Sequence, residues 1–323
     1  MIDGSGRTID YLRISVTDKC NLRCRYCMPE NGVPLITHDE MLTLEEIYRV
    51  VRIMEGLGIK KVRLTGGEPL VRKNLVKLVK DINGLNGIEQ IAMTTNGVLF
   101  GEWAAEMKQA GLSSVNVSLD TLDAGHYQQI TGTCCYDKVL DAIRAALKQG
   151  IRVKINCVPC REFNENDIED LAALAMHEEI DVRFIELMPL GCGKDYDGIS
   201  SYEILCRLES EYGTASEHYA KRGNGPAKYY DFEGFRGKIG FISPMSHSFC
   251  GECNRIRLTA EGRLKLCLYY NSGIELKPLL RCGLSDDEIS EQIISAVMSK
   301  PKAHNFGAAD AASDERKMVQ VGG

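Results

Sequence analysis

Six short runs along the chain alternate apolar with polar residues, and most are followed by a stretch with helical spacing. The runs are YLRISVT at 11–17, KVRLTG at 61–66, EQIAMTTN at 89–96, SSVNVSL at 113–119, RVKINCV at 152–158 and DVRFIEL at 181–187. Their alternation and β-branched content predict six strands. Helix-like segments lie between them at 43–57, 72–83, 101–110, 136–149 and 165–177. Thr43, with Glu46 three positions on, has the form of a capping box at the start of the first. About six strand–helix units in succession predict an α/β fold, a mainly parallel sheet with helices outside, doubly wound or curled into a barrel. In either form functional side chains belong at the C-terminal ends of the strands. The candidate motifs fall there: a cysteine cluster after the first run, TGGEP after the second, TTNG after the third and SLD after the fourth.

After about residue 215 the pattern changes to hairpin-like runs, KYYDFEGF, KIGFISP and RIRLTAEGRLKLCLYY, and then a helix at 285–300. This divides the chain into a larger unit, 1–215, and a smaller C-terminal extension, 216–323. The last residues, AHNFGAADAASDERKMVQVGG, have little apolar periodicity and read on their own as a frayed terminus.

Composition narrows the class. With 323 residues, 44% of them hydrophobic, the chain can bury a sizeable core. A net charge of −6 gives no bulk attraction to nucleic acid or acidic membrane, so an anionic ligand must be held by local arginines. The N-terminus lacks a secretory pattern and no run reaches the 18 apolar residues of a membrane span. A cytoplasmic protein is expected, and an odd count of 13 cysteines fits a reducing compartment better than a disulfide scaffold.

Six of those cysteines form two trios. Cys20, Cys24 and Cys27 are spaced C-x3-C-x2-C, and Cys250, Cys253 and Cys267 are spaced C-x2-C-x13-C. Structural zinc wants four ligands, which His38 and His247 would have to complete. An iron–sulfur cluster also takes four cysteines, so three leave one iron open to another ligand. The first spacing is not a usual zinc spacing and favours the open cluster. The second is equally compatible with a zinc ribbon short of a ligand. Cys134, Cys135, Cys157, Cys160, Cys192, Cys206 and Cys282 lie outside these patterns. Cys157 and Cys160 follow a strand instead of opening a helix, so they read as core thiols and not as a redox pair. Arg13, Arg63 and Arg183 alternate with apolar neighbours, which can aim them from three strands into one interior. Long cations of this kind also commonly reach solvent or pair with carboxylates.

CNLRCRYC, with an aromatic residue before its third cysteine, followed by TGGEPL at 65–70 after the next strand, resembles the radical S-adenosylmethionine superfamily. The resemblance implies a 4Fe-4S cluster on Cys20, Cys24 and Cys27, with the amine and carboxylate of S-adenosylmethionine on its open iron. Further segments, LRISVTDKCNLRCRYCMP, VRLTGGEPLVRKNL, TTNG, NVSLDTLD, RFIELMPLG, FCGECNRIRLTAEGRLKLCLY and the terminal GG, run in order like the family of GTP cyclases that open molybdenum cofactor synthesis. That likeness covers nearly the whole chain. It implies a partial TIM-type barrel whose extension carries a second 4Fe-4S cluster on Cys250, Cys253 and Cys267, its open iron facing guanine. The implied reaction converts GTP to (8S)-3′,8-cyclo-7,8-dihydroguanosine 5′-triphosphate.

By the same resemblance GTP meets Arg13, Arg63, Thr94, Lys154, Arg255 and Arg257, with Arg183 on the same face. S-adenosylmethionine meets Tyr26, Gly67, Ser118 and Met188, and Glu68 accepts from its ammonium. The Gly-Gly tail enters the active site, a reductant protein or small reductase supplies electrons, and the chain pairs as a homodimer. The competing readings are a radical S-adenosylmethionine maturase that modifies a peptide, and a zinc-stabilised binding module without catalysis.

Overall fold

A computed structural model describes residues 1–220, 222–306, 314 and 316–322. The six predicted strands are β1 (Tyr11–Ser15), β2 (Lys61–Thr65), β3 (Gln90–Thr95), β4 (Ser114–Ser118), β5 (Arg152–Cys157) and β6 (Asp181–Ile185). They pair in sequence order, all parallel. Helices α1 (Leu44–Gly56), α2 (Leu75–Asn83), α3 (Phe100–Ala110), α4 (Ala124–Thr131), α5 (Tyr136–Lys148), α6 (Ile168–His177) and α7 (Ser201–Tyr212) fall between and after them. The capping box is formed, since Thr43 Oγ1 accepts from the amide of Glu46 and the Glu46 carboxylate accepts from that of Thr43. Two helices, α4 and α7, were not legible in the pattern. The first has only Tyr127, Ile130 and Thr131 buried, too few for a periodic signal.

Beyond residue 215 come β7 (Ser216–His218), β8 (Lys228–Asp231), β9 (Ile239–Ile242), β10 (Arg255–Leu258), β11 (Arg263–Lys265) and β12 (Gly273–Glu275). Helices α8 (Leu276–Arg281), α9 (Asp286–Met298) and the short α10 (Met318–Val321) follow. These strands extend the same sheet at both ends, in the order β12-β11-β10-β1-β2-β3-β4-β5-β6-β9-β8-β7. β10 joins β1 and β9 joins β6, both parallel, while the outer pairs are antiparallel. β12 and β7, the two ends of the order, pair only inward, with β11 and β8, so among the described residues the sheet does not close.

To pass from β9 to β10 the chain crosses between opposite ends of the strand order, and residues 243–254 make that crossing. Its start is held by the buried Glu186 carboxylate, which accepts from the amides of Met245 and Ser246, each at 2.9 Å. Its end is held by Asn254, whose side chain donates to Asp10 at 2.6 Å.

Period-two alternation divides the strands into two faces. Leu12, Ile14, Val62, Leu64, Ile91, Met93, Val115, Val117, Val153, Ile155, Val182 and Phe184 form one buried core with helix residues such as Ile47, Val50, Val79, Met107 and Val139. The intervening Tyr11, Arg13, Arg63, Thr94, Asn116, Lys154 and Arg183 line a cavity on the other face. A closed TIM barrel fills its interior with layers of branched apolar side chains. Here the inner face is polar and the interior is a chamber. No helix among the described residues is long and apolar enough to cross a membrane.

The last described residues are anchored, contrary to the frayed-terminus expectation. The amide of Asp314 donates to the Tyr269 carbonyl at 2.8 Å, and its carboxylate pairs with Lys265, whose side chain is fully buried, and with Arg316. Burial pushes the Asp314 carboxyl up, but Arg316 and Lys265 outweigh it and hold it at about 2. Its contribution to stability is therefore full above about pH 4 and is lost as pH falls through the folded value. Asp314→Ala leaves the Lys265 ammonium buried without its partner and is expected to cost about 3–5 kcal/mol in urea unfolding. Adding Lys265→Met is expected to recover most of that loss; equal destabilisation of the single and double variants would contradict the pairing.

A candidate active site between two cysteine trios

One open cavity is lined by both trios and by the polar face between them. Strand direction sets the trios at its opposite ends. Cys20, Cys24 and Cys27 lie in the loop beyond the C-terminal end of β1. Cys253 lies two residues before Arg255, which is level with Tyr11 at the N-terminal end of β1. The four residue steps from Tyr11 to Ser15 span roughly 13 Å at 3.3 Å per residue.

The first cysteine loop is docked by backbone. The Gly67 amide donates to the Thr17 carbonyl and the Glu68 amide to that of Lys19, each at 2.8 Å. A Cβ on Gly66 would stand 2.5 Å from the Thr17 oxygen, and one on Gly67 2.4 Å from that of Lys19. Both positions thus exclude a side chain because the next strand end presses against the residues just before Cys20. Glu68, by contrast, is fully buried outside the cavity lining. Its carboxylate accepts from the amides of Leu70 and Asn96 and the hydroxyl of Thr95, at 2.8–3.0 Å, and burial lifts its pKa to about 7. Tyr26 lines the cavity and donates to Asp120 at 2.7 Å.

The donor sets fit iron–sulfur clusters. All six thiols are free and partly accessible, and all face the cavity. Among the described residues no three His, Cys, Asp or Glu side chains converge to chelate a single ion. His38 and His247 are exposed and lie outside the lining. At the first trio burial, and then the fields of neighbouring thiols, push Cys24 and Cys27 up, Cys27 to about 12. Binding a positively charged metal core would relieve that cost by replacing the protons. At the second trio burial raises Cys253 as well, but Lys300 and Arg255 outweigh it and leave the thiol at about 7.

The wall between the trios is cationic. Arg13 is level with Arg257 on one neighbouring strand and Arg63 on the other. Strands about 4.8 Å apart bring these guanidinium groups together, and like charges directly opposite are destabilising. Burial and then Arg257 hold Arg13 well below its usual value, and burial and then Arg255 bring Arg257 to about 10. Lys154 falls to about 8 through burial and then Arg183, although Asp181 stands 3.3 Å away. Local partners steady several of these cations: Arg63 donates to Tyr11 and to Thr94, Arg183 to Asn156, and Arg255 lies over the Phe249 ring.

The tail enters this chamber. Met318 and Val319 line it together with Cys27, and Arg257 donates to the Gly322 carbonyl. Gly322 has φ of +78°, and a Cβ there would meet Ser15 Cβ at 3.0 Å. Gly323 lies outside the described residues.

The cavity therefore unites Tyr26, Gly67, Ser118, Met188, Arg13, Arg63, Thr94, Lys154, Arg183, Arg255, Arg257 and both trios, and leaves out Glu68. Lining residues that the sequence reading missed include Tyr11, Asn116, Asn156, Tyr229 and Lys300. The first three follow from strand alternation, in YLR, SVNVS and VKIN. Tyr229 and Lys300 carry no signal in their own segments. Of the other thiols, Cys157, Cys160 and Cys192 are buried, as core thiols should be, whereas Cys134, Cys206 and Cys282 are exposed.

Residues 14–175 match the sequence model of the Radical SAM superfamily, and 180–306 match that named Molybdenum Cofactor Synthesis C. The chain belongs to the radical SAM superfamily and, at the level of its full-length relatives, to the GTP 3′,8-cyclase family. It is 50% identical over 323 residues to the GTP 3′,8-cyclase of Clostridium perfringens (strain 13 / Type A), covering 100% of both chains. To that of Syntrophomonas wolfei it is 48% identical over 327 residues, again 100% of both. In fold it is similar to Streptococcus suis SuiB bound to precursor peptide SuiA, with a TM-score of 0.62 at 13% identity, over 97% of this chain and 71% of that one.

Gly322→Ala is expected to strain the tail by about 1–3 kcal/mol and displace it. Faster release of the C-terminal residues by carboxypeptidase would register this, and an unchanged rate would count against the threaded tail.

Proposed function

We propose that this chain is a GTP 3′,8-cyclase that converts GTP to (8S)-3′,8-cyclo-7,8-dihydroguanosine 5′-triphosphate, the opening step of molybdenum cofactor synthesis. The observation that carries this reading is the single cavity bounded by two cysteine trios, with a cationic wall between them. Full-length relatives of that name support it. The peptide-maturase reading has only a fold likeness behind it, and the binding-module reading leaves the cationic chamber without a use.

S-adenosylmethionine on a 4Fe-4S cluster at Cys20, Cys24 and Cys27 supplies the radical chemistry, with the hydrogen at C3′ of GTP as its target. The chain's own part is to bind, orient and shield. Tyr26, Gly67, Ser118 and Met188 form the S-adenosylmethionine end, where Gly67 offers backbone without a side chain. Glu68 serves that end at one remove, by tying the GGEP turn to Thr95 and Asn96. Arg13, Arg63, Thr94, Lys154, Arg183, Arg255 and Arg257 receive the triphosphate, for which guanidinium forks are well shaped. Cys250, Cys253 and Cys267 hold the second cluster at the guanine end. The tail, lying between the trios, keeps Arg257 aimed into the chamber. Residues 1–215 and 216–323 are the two units of this design. A reductant protein or small reductase and a homodimer complete the proposal by family resemblance, and a cytoplasmic location by the cysteine usage.

Anaerobic reconstitution followed by dithionite reduction, with and without GTP, tests the assignment by product analysis. Cys24→Ser is expected to abolish 5′-deoxyadenosine formation. Cys253→Ser is expected to retain some cleavage while losing cyclised product. Identical behaviour of the two variants would refute the division of labour, and cleavage indifferent to GTP would refute the substrate.

A further inference from the structure

We propose that Arg7 and Lys300 form a two-cation clamp that builds and electrostatically tunes the second cluster site, making the N-terminal arm part of it. The inference rests on the assignment of a cluster to Cys250, Cys253 and Cys267. Those cysteines come from two separate segments, and neither carries a regular element long enough to fix it. Both are tied instead to residues 300–302, just after α9.

Arg7 is buried, and Asp3, also buried, fixes it through Nε at 2.7 Å. Its other nitrogens are spent on backbone: Nη1 donates to the carbonyls of Cys250 at 2.7 Å and Lys302 at 2.9 Å, and Nη2 to that of Pro301 at 2.8 Å. One planar fork therefore binds the first cysteine of the trio to the 300–302 segment. Lys300 binds the remainder. Its Nζ donates to the Arg255 carbonyl at 3.0 Å and to the Leu266 carbonyl, next to Cys267. The same ammonium lies within the fields of Cys253 and Cys267 and lines the cavity.

Lys300 is 5% exposed, and among the described residues no carboxylate pairs with it. A buried ammonium held only by carbonyls is costly unless an anion neutralises it. Three cysteine thiolates around an iron–sulfur core provide that anion. Hydrogen bonds and fixed charges of this kind orient ligands and set cluster potential. Arg7 thus acts as a positioning residue, and Lys300 as both a brace and a local positive charge.

The test isolates each cluster by genetics. In a chain carrying Cys20→Ser, Cys24→Ser and Cys27→Ser only the second trio holds iron. There Arg7→Met and Lys300→Met are expected to release iron to a chelator at least tenfold faster. Lys300→Met is also expected to move the midpoint potential of that cluster to a more negative value, whereas Lys300→Arg, which keeps the charge, restores it. In the reciprocal chain carrying Cys250→Ser, Cys253→Ser and Cys267→Ser, Arg7→Met and Lys300→Met should keep the first cluster in full. Unchanged release and potential would overturn the clamp, as would equal iron loss from both clusters, the mark of general misfolding. If the first triple variant binds no iron before either cation is altered, the cofactor assignment falls and takes the clamp with it.

Discussion

Mutual repulsion among buried and half-buried cations is the constraint around which this molecule is arranged. Arg13, Arg63 and Arg257 stand level on three adjacent strands, with Arg255, Arg183 and Lys154 facing the same chamber. Within the chain, Tyr11, Thr94, Asn156, Asp181 and the Gly322 carbonyl each satisfy part of this set, but the wall retains a strong positive bias. The apolar face outside it carries the folding load, with Leu12, Ile14, Val62 and Leu64 packed under the helices. A sheet able to bury one face completely can devote the other to a costly cluster of like charge, which an anionic guest then stabilises.

The same economy of backbone governs the first cysteine loop. Gly66 and Gly67 do little by their side chains, being without any, and much by letting one strand end press against Thr17 and Lys19. Glu68 then fixes the turn from behind, through Leu70, Thr95 and Asn96. The loop that presents Cys20, Cys24 and Cys27 is thus held by two neighbouring strands before any metal binds.

What could be read from the sequence follows from locality. Strand runs and the Thr43–Glu46 cap are written in adjacent residues, and the inner-face positions Arg13, Arg63 and Arg183 follow from alternation alone. The trios were visible because spacing is itself local. Pairings between distant segments were not. That β10 lies beside β1 while β9 lies beside β6 depends on which edge of a curled sheet each hairpin finds. Lys300 and Arg7 sit in unremarkable stretches, and their partners are carbonyls, which every residue has. The tail looked frayed because its anchors are scattered, a buried ion pair at Asp314, a guanidinium on the Gly322 carbonyl and two buried valines, and not an apolar stripe of helical period.

Residues 243–254 cross from one end of the strand order to the other and bring Cys250 and Cys253 with them. Among the described residues no ladder of hydrogen bonds joins the edge strands β12 and β7, so the wall has a seam. A metal cluster held by Cys250, Cys253 and Cys267 would be a rivet as much as a reagent, since it would join that crossing to the segment after β11. Damage by oxygen would then be felt as mechanics as well as chemistry: stripping iron from this end would untie Cys250 and Cys253 from Cys267, even with every strand still paired.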